Sequence, residues 1–412
     1  MNTVTLITGQ LIVQACSALI GILIARYVGK SDYGQYVLAF SFSGTVGLLF
    51  SMGADYVVVR EVAREPERYR NLFGAALWIR LITLPLISIG MTLLAVVLGY
   101  EIEQRGYIFL AALVLGLTTL GDLPRSIFQA RQRMTFDTLT RGLDKVCALV
   151  LIVVAVMVWN TQSIALIFVL TLVGSVTGLV TASFALRRLV GTPTLGHPRE
   201  AIRLMRRSLP LIVSMILMIV FEQLPIILLS RSHSYTDVAS YGAALSLVSP
   251  FGLLAIALQA SLLPRLSILT HRRSLDPRAH ARAVGLNILI ALPFCVALYL
   301  AAPLLIHALY GDEFASVVEH LRVMILLLPV MYANIYGNTL LIAAGKTRQL
   351  LFIVLLNLTL TIALSIWLIP AGASLGAIMV RILAPAVGTI VMLVLAPRWL
   401  RAPQMISSDS PS

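Results

Sequence analysis

The chain reads as a succession of long apolar runs separated by short, arginine-rich polar turns. The runs fall at about 5–27, 35–56, 72–99, 107–130, 137–158, 163–186, 208–230, 238–262, 283–304, 319–343, 348–369 and 373–396. Each approaches or exceeds the roughly 20 residues that a helix needs to cross the hydrocarbon of a bilayer. They are continuously apolar. A transmembrane barrel would need alternating segments of about ten residues instead. Helices are therefore expected, and the Gly and Pro inside several runs are compatible with helices packed against neighbours. The longest polar stretch, 187–207, separates six runs from six.

The two halves carry a faint repeat. A shift of 205 residues places Arg26 on Arg231, Asp32 on Asp237, Tyr36 on Tyr241, Ala39 on Ala244 and Arg60 on Arg265. All five fall at the two ends of one helix–loop–helix. Six spans is an even number, so both halves enter the membrane in the same sense, as in transporters built from parallel repeats. The expected fold is all-α and integral to the membrane. It has about 12 transmembrane helices in two six-helix bundles, related by a pseudo-two-fold parallel repeat. The N-terminal bundle is expected over 1–190, a cytoplasmic linker over 191–207, the C-terminal bundle over 208–398 and a cytoplasmic tail over 399–412.

Composition sharpens this picture. The 412 residues are 59% hydrophobic and 12% charged. Soluble chains run at about 45–50% and about 25%, which sets aside a soluble enzyme, a disulfide scaffold and a disordered protein. The net charge of +13 would point to nucleic acid in a soluble protein. Here it reads as topology-setting arginine, with no nucleic-acid partner. If the N-terminus is cytoplasmic, only Arg26, Lys30, Arg105 and Arg231 among the loop cations face outward. The positive-inside rule then puts both termini in the cytoplasm. The first apolar run lacks a basic segment before it and is expected to be retained as a helix. Cys16, Cys147 and Cys295 lie in apolar runs and predict no disulfide framework. Gly29-Lys30-Ser31 and Gly345-Lys346-Thr347 lack the upstream glycine of a phosphate-binding loop, and the histidines show no metal spacing. No metal or cofactor is expected. Gly174 and Gly178 form a small-residue pair suited to helix packing, and the glycosylation sequon at Asn357 falls inside a run.

The chemistry is expected from ionisable residues inside the runs: Arg80, Asp122, Arg125, Arg141, Asp144, Lys145, Glu222, Arg322 and Arg381. A charge at mid-bilayer costs about 2.5–3.5 kcal/mol unless it pairs or faces water. Asp122 and Arg125, three apart, are placed to pair. Asp144 and Lys145 are adjacent and expected not to. Arg125, Arg141 and Lys145 lie near cytoplasmic ends and could snorkel. The excess within the runs is basic, which predicts a cavity for an anion, and the arginine fork suits phosphate oxygens. Arg80 leads the anion-binding candidates, with Arg26, Arg141, Lys145, Arg381 and Arg125. Glu222, Asp122 and Asp144 are candidates for coupling to a proton or sodium ion, with a structural arginine partner in the other half as the alternative for Glu222.

Several segments, in order, resemble one family. Residues 25–36, from Ala25-Arg26-Tyr27-Val28-Gly29-Lys30 to Tyr36, are similar to the first-loop signature of the Wzx-like polysaccharide (O-antigen) flippases. These form a branch of the multidrug/oligosaccharidyl-lipid/polysaccharide exporter superfamily. Gly53-Ala54-Asp55 and Arg60-Glu61-Val62-Ala63-Arg64 resemble its second-helix end, and Tyr241-Gly242-Ala243-Ala244 and Leu263-Pro264-Arg265 its eighth helix. Leu309-Tyr310-Gly311-Asp312 resembles the loop before the tenth helix, and Ala344-Gly345-Lys346-Thr347, Asn357, Ile369-Pro370 and Leu375-Gly376-Ala377 the closing helices. The resemblance spans nearly the whole chain. It implies two bundles about a central cavity and alternating access. It implies a lipid-linked oligosaccharide, usually on undecaprenyl pyrophosphate, as the partner carried, a non-enzymatic role in cell-surface polysaccharide biosynthesis, and a bacterial inner-membrane location among membrane lipids and other polysaccharide-assembly proteins. The rivals are a multidrug or organic-cation antiporter of the same superfamily and a polysaccharide polymerase or ligase. The short outer loops disfavour the latter.

Overall fold

The computed structural model describes residues 2–192, 198–271 and 277–401. Part of the expected linker (193–197) and most of the expected tail (402–412) lie outside the described residues. The first half holds α1 (Asn2–Tyr27), α2 (Lys30–Gly44), α3 (Gly47–Ser51), α4 (Ala54–Arg64), α5 (Tyr69–Val97), α6 (Ile102–Ala130), α7 (Met134–Met157) and α8 (Ile164–Leu189). The second half holds α9 (Pro198–Ser232), α10 (Tyr235–His271), α11 (Pro277–Leu305), α12 (Val317–Met324), α13 (Leu327–Ala343) and α14 (Thr347–Arg401). Taking α2 to α4 as one crossing, α12 with α13 as one and the bent α14 as two brings these fourteen helices to twelve crossings. The described residues form helices and turns, without a strand.

Among the described residues, seven helical stretches are long and apolar enough to cross a membrane unaided, and one of them, Arg348–Ala396, runs to 49 residues. That stretch is two spans. It folds back at Ala373, whose φ of 45° and ψ of −126° are not helical. Leu86, Val97, Leu300 and Trp367 project outward and are largely exposed. Such side chains are satisfied by lipid rather than by protein.

Two expected spans are interrupted. The second, read as continuous over 35–56, ends its first helix at Gly44 and resumes fully only at Ala54. Met52 (φ 47°) and Gly53 (φ 62°) carry the left-handed turn between α3 and α4. The glycines at 44, 47 and 53 lower helix propensity there. The freed carbonyl of Phe50 accepts a hydrogen bond from Thr83 Oγ1 on α5 at 2.7 Å, the kind of repair that lets a broken helix persist at membrane depth. The tenth span breaks between α12 and α13. The expected linker is also partly helical: from Pro198 onward it is the first turns of α9, and Ala201 and Leu204 pack with Val57, Tyr69 and Leu186 of the first half.

In the first half α6 packs against α2, α4, α5, α7 and α8. In the second, α10 packs against α12, α13 and α14, and α14 lies along α9. The halves meet where α2 crosses α10 and α5 meets α9. At the crossing there is no room for side chains. A Cβ on Gly34 would stand 1.9 Å from the Tyr235 carbonyl oxygen and 3.2 Å from the Ala239 amide. A Cβ on Gly242 would stand 2.8 Å from Val37. Gly34 and Ala239 are 205 residues apart, and so are Val37 and Gly242. A residue touching its own repeat mate must lie beside the two-fold axis, so the axis runs between α2 and α10 and the sequence offset is the structural one.

Ala373 occupies a backbone conformation that L side chains rarely adopt. Ala373→Gly is expected to relieve about 1 kcal/mol of strain and to raise the melting temperature of the detergent-solubilised protein. An unchanged or lower value would show that the turn is not strained.

Candidate functional site: a paired-charge cavity in the first half

The break in the second span opens a cavity of about 400 Å³ between α3, α4, α6 and α7. Ser51, Asp55, Tyr56 and Arg60 line it from the broken span, Thr119, Asp122, Ser126 and Gln129 from α6, and Arg141 from α7. The wall mixes apolar surface, to which Leu48 and Val59 contribute, with hydroxyls, an amide and both signs of charge.

Behind the wall the arginines are held tightly. Arg80 on α5 is 1% exposed. It pairs with Asp55, and its Nε donates to the Thr119 carbonyl at 2.8 Å. One side chain thereby fastens α4, α5 and α6 together beside the break. Arg125 on α6, also 1% exposed, pairs with Asp122 at 3.1 Å and stands 4.0 Å from Asp144. Its Nη2 donates to the Thr140 carbonyl at 2.9 Å. Arg141 pairs with Asp122 at 2.7 Å and with Asp137 at 3.0 Å. Lys145 lies 3.6 Å from Asp144. The small-residue pair on α8 makes this close approach feasible: a Cβ on Gly178 would stand 2.7 Å from Asp144 Cβ and 2.9 Å from Arg125 Nη2.

This arrangement corrects the expectation of free cations. Arg80, Arg125, Arg141 and Lys145 face Asp55, Asp122, Asp137 and Asp144, so the cluster is balanced. The expected basic excess leaves out Asp55 and Asp137, which lie inside the ends of the runs at 35–56 and 137–158. The i, i+4 spacing of Asp137 and Arg141 was the available signal. Arg80 is not an open anion site, and Arg125 is buried rather than snorkelling. Asp144 and Lys145 do approach each other, contrary to expectation.

The other candidates lie elsewhere. Arg381 on α14 pairs with Glu222 on α9 at 3.7 Å and donates to the Glu222 carbonyl at 3.1 Å. Glu222 therefore has its arginine partner within its own half. Arg26 sits at the C-terminal end of α1 and donates to the Ala308 carbonyl of the second half, away from the cavity. The guanidiniums that do reach the cavity are Arg141, 28% exposed, and Arg60, 58% exposed and paired with the adjacent Glu61 at 3.1 Å. Arg60 and Tyr56 were not among the expected site residues. Their position follows from the break, which turns α4 so that 56 and 60, one helical turn apart, face the same space.

A buried guanidinium stripped of its carboxylate is destabilising by about 3–5 kcal/mol, whereas an apolar pair in the same place is often neutral. Asp55→Ala is therefore expected to lower thermal stability sharply, and Arg80→Met added to it to restore most of the loss. A double variant no more stable than Asp55→Ala would contradict a purely structural role for this pair.

Comparisons with known proteins agree with this architecture. A family model described as "Polysaccharide biosynthesis protein" matches residues 1–270, and a second, MatE, matches residues 210–367. The fold is similar to an inward-facing multidrug resistance MATE family transporter of the MOP superfamily (TM-score 0.78, 16% identity, covering 93% of this chain and 94% of that one). It is similar to the lipid II flippase MurJ in an inward closed conformation (TM-score 0.76, 14% identity, 95% and 87%). It is also similar to a MOP superfamily transporter from Pyrococcus furiosus described as having a binding pocket of reverse polarity (TM-score 0.62, 15% identity, 97% and 95%). No curated protein sequence matches the chain. The chain belongs to the polysaccharide biosynthesis protein family and has the twelve-span fold of the MOP superfamily transporters.

Proposed function

We propose that this protein is a flippase for a lipid-linked oligosaccharide whose anionic headgroup enters the cavity of the first half. The observation that carries the reading is that Arg60 and Arg141 stand on the wall of a cavity within the segment that matches the polysaccharide biosynthesis family. Arg141 shares Asp122 with Arg125. A diphosphate binding to Arg60 and Arg141 takes the place of Glu61 on Arg60 and of Asp122 on Arg141, leaving Glu61 to Arg68 and Asp122 to Arg125. The site thus exchanges one anion for another without leaving a buried charge unpaired, and planar guanidiniums suit phosphate oxygens. Ser51, Ser126 and Gln129 offer hydrogen bonds to a first sugar. The polyprenyl chain remains in the bilayer, and the halves rock about the α2–α10 crossing to change the side of access.

The topology proposed has both termini in the cytoplasm of a bacterium, with the α1–α2 and α9–α10 turns outside. Two negative charges leaving a cytoplasm held 100 mV negative gain roughly 4–5 kcal/mol. That gain favours export. A proton or sodium ion exchanged at Glu222, Asp122 or Asp144 would drive the return stroke.

The second reading, an organic-cation antiporter, gains support from Asp55, Asp122 and Tyr56 on the cavity wall and from the MatE match.

Both readings meet one experiment. In liposomes containing a fluorescent undecaprenyl-pyrophosphate-linked saccharide, the wild-type protein is expected to move the lipid between leaflets. Arg60→Gln combined with Arg141→Gln is expected to weaken its use by about tenfold, the scale of one charge-assisted hydrogen bond. Uptake of an organic cation with no movement of the lipid would establish the antiporter instead. Full lipid movement by the double variant would place the headgroup elsewhere.

A further inference from the structure

The end of the molecule bearing the α1–α2 and α9–α10 turns is sealed. Tyr33 packs on Tyr310 and Phe314 across the seam. Lys30 Nζ lies 3.3 Å from Ser316 Oγ and over the Phe314 ring. Tyr100 and Ser230 share a hydrogen bond of 2.7 Å between their hydroxyls. Burial pushes the Lys30 amine below its usual pKa, against the pull of the Glu313 and Asp237 carboxylates.

Two of the contacts across this seam are repeat mates. Arg26 ends α1 and donates from Nη1 to the carbonyl of Ala308, in the turn that closes the span of α11. Arg231 ends α9 and donates from Nη1 to the carbonyl of Gly99, just past the end of α5, at 3.4 Å. It also lies over the Tyr100 ring. Arg26 and Arg231 are 205 residues apart, the offset that relates Gly34 to Ala239 and Val37 to Gly242 at the axis. Each arginine therefore leaves the first span of its own half and reaches the C-terminal end of the third span of the other. Carbonyls at helix C-termini lack partners in their own helix and carry the negative end of the helix dipole, so a cation is a fitting partner.

We infer that Arg26 and Arg231 form a two-fold pair of latches that hold this end closed and release together when the halves rock. The contrast in environment supports the assignment. The arginines that tie helices within a half, Arg80 and Arg125, are fully buried and each is paired with a carboxylate. Those that tie one half to the other are exposed and take a neutral carbonyl. An exposed guanidinium can exchange a carbonyl for water at little cost. A buried ion pair cannot be broken so easily. The pair also explains why arginine stands at both positions without invoking the substrate, and the inference holds whichever cargo is carried.

The test uses the full chain in lipid nanodiscs, with Cys16, Cys147 and Cys295 replaced by serine. One set of spin labels at Ser31→Cys and Ala315→Cys spans the Arg26 seam, and a second at Glu101→Cys and Ser234→Cys spans the Arg231 seam. Pulsed electron–electron resonance then gives the fraction of molecules open at this end. Each of Arg26→Gln and Arg231→Gln is expected to raise the open-to-closed ratio by roughly tenfold. Each single variant is expected to lengthen the distance at both seams, because the halves move as bodies. The paired Arg26→Lys and Arg231→Lys variant retains a donor and is expected to restore the closed fraction, which a general loss of folding would not allow. A double glutamine variant with wild-type distances would overturn the inference. So would a single variant that opens its own seam and leaves the other closed.

Discussion

A guanidinium at bilayer depth must have a partner, and the architecture of the first half follows from that demand. Arg80 cannot reach water. It is held by a carboxylate on α4 and a carbonyl on α6, and both must be presented at the same height. Asp55 is delivered to that height by the break in the second span, which ends one helix at Gly44 and starts another at Ala54. The break frees backbone groups that need partners of their own, and Thr83 supplies one. It also leaves the space that becomes the cavity. Charge pairing, the broken helix and the cavity are thus one feature seen from three sides. The second half has a looser version of the same device, in which a single arginine, Arg381, holds Glu222 between α14 and α9.

The interface between the halves obeys a different rule. At the axis the helices touch through Gly34 and Gly242, so the crossing is tight but has few interlocking side chains. Around it the links are hydroxyls, aromatic edges and exposed cations on carbonyls. A protein that must alternate between two arrangements needs halves that are rigid inside and weakly joined outside. Buried pairs within each half and exchangeable contacts between them meet both needs.

Much of this was legible in the residues. The twelve runs gave the spans to within a few residues, because in lipid the length and apolarity of a segment leave a helix little alternative. The repeat offset was readable from five residues because those positions cluster about the crossing, where the two-fold geometry leaves little freedom. Pairing was harder to read. Asp122 with Arg125 is local and was foreseen, whereas Asp55 with Arg80 joins residues on different spans, and periodicity carries no information about that. The charge balance of the first half was hard to read for a related reason. Asp55 and Asp137 lie at the very ends of runs 35–56 and 137–158, where hydropathy marks interface rather than interior, and the fold brings both inward to the arginines. The break itself had a visible cue in Gly44, Gly47 and Gly53. Its direction, which turns Tyr56 and Arg60 toward the cavity, depends on packing against α5 and α6.

The central claim is that the deeply buried arginines stay with their carboxylates, and that an anionic headgroup is taken by the two guanidiniums that reach the cavity wall, in exchange for Glu61 on Arg60 and Asp122 on Arg141. A cryo-electron microscopy structure of the full chain with a polyprenyl-diphosphate-linked saccharide tests it most directly. The account predicts diphosphate density between Arg60 and Arg141, with Asp122 retained by Arg125 and the Asp55–Arg80 pair intact. Diphosphate bound to Arg80 with Asp55 displaced, or seated beside Arg381 in the second half, would contradict it.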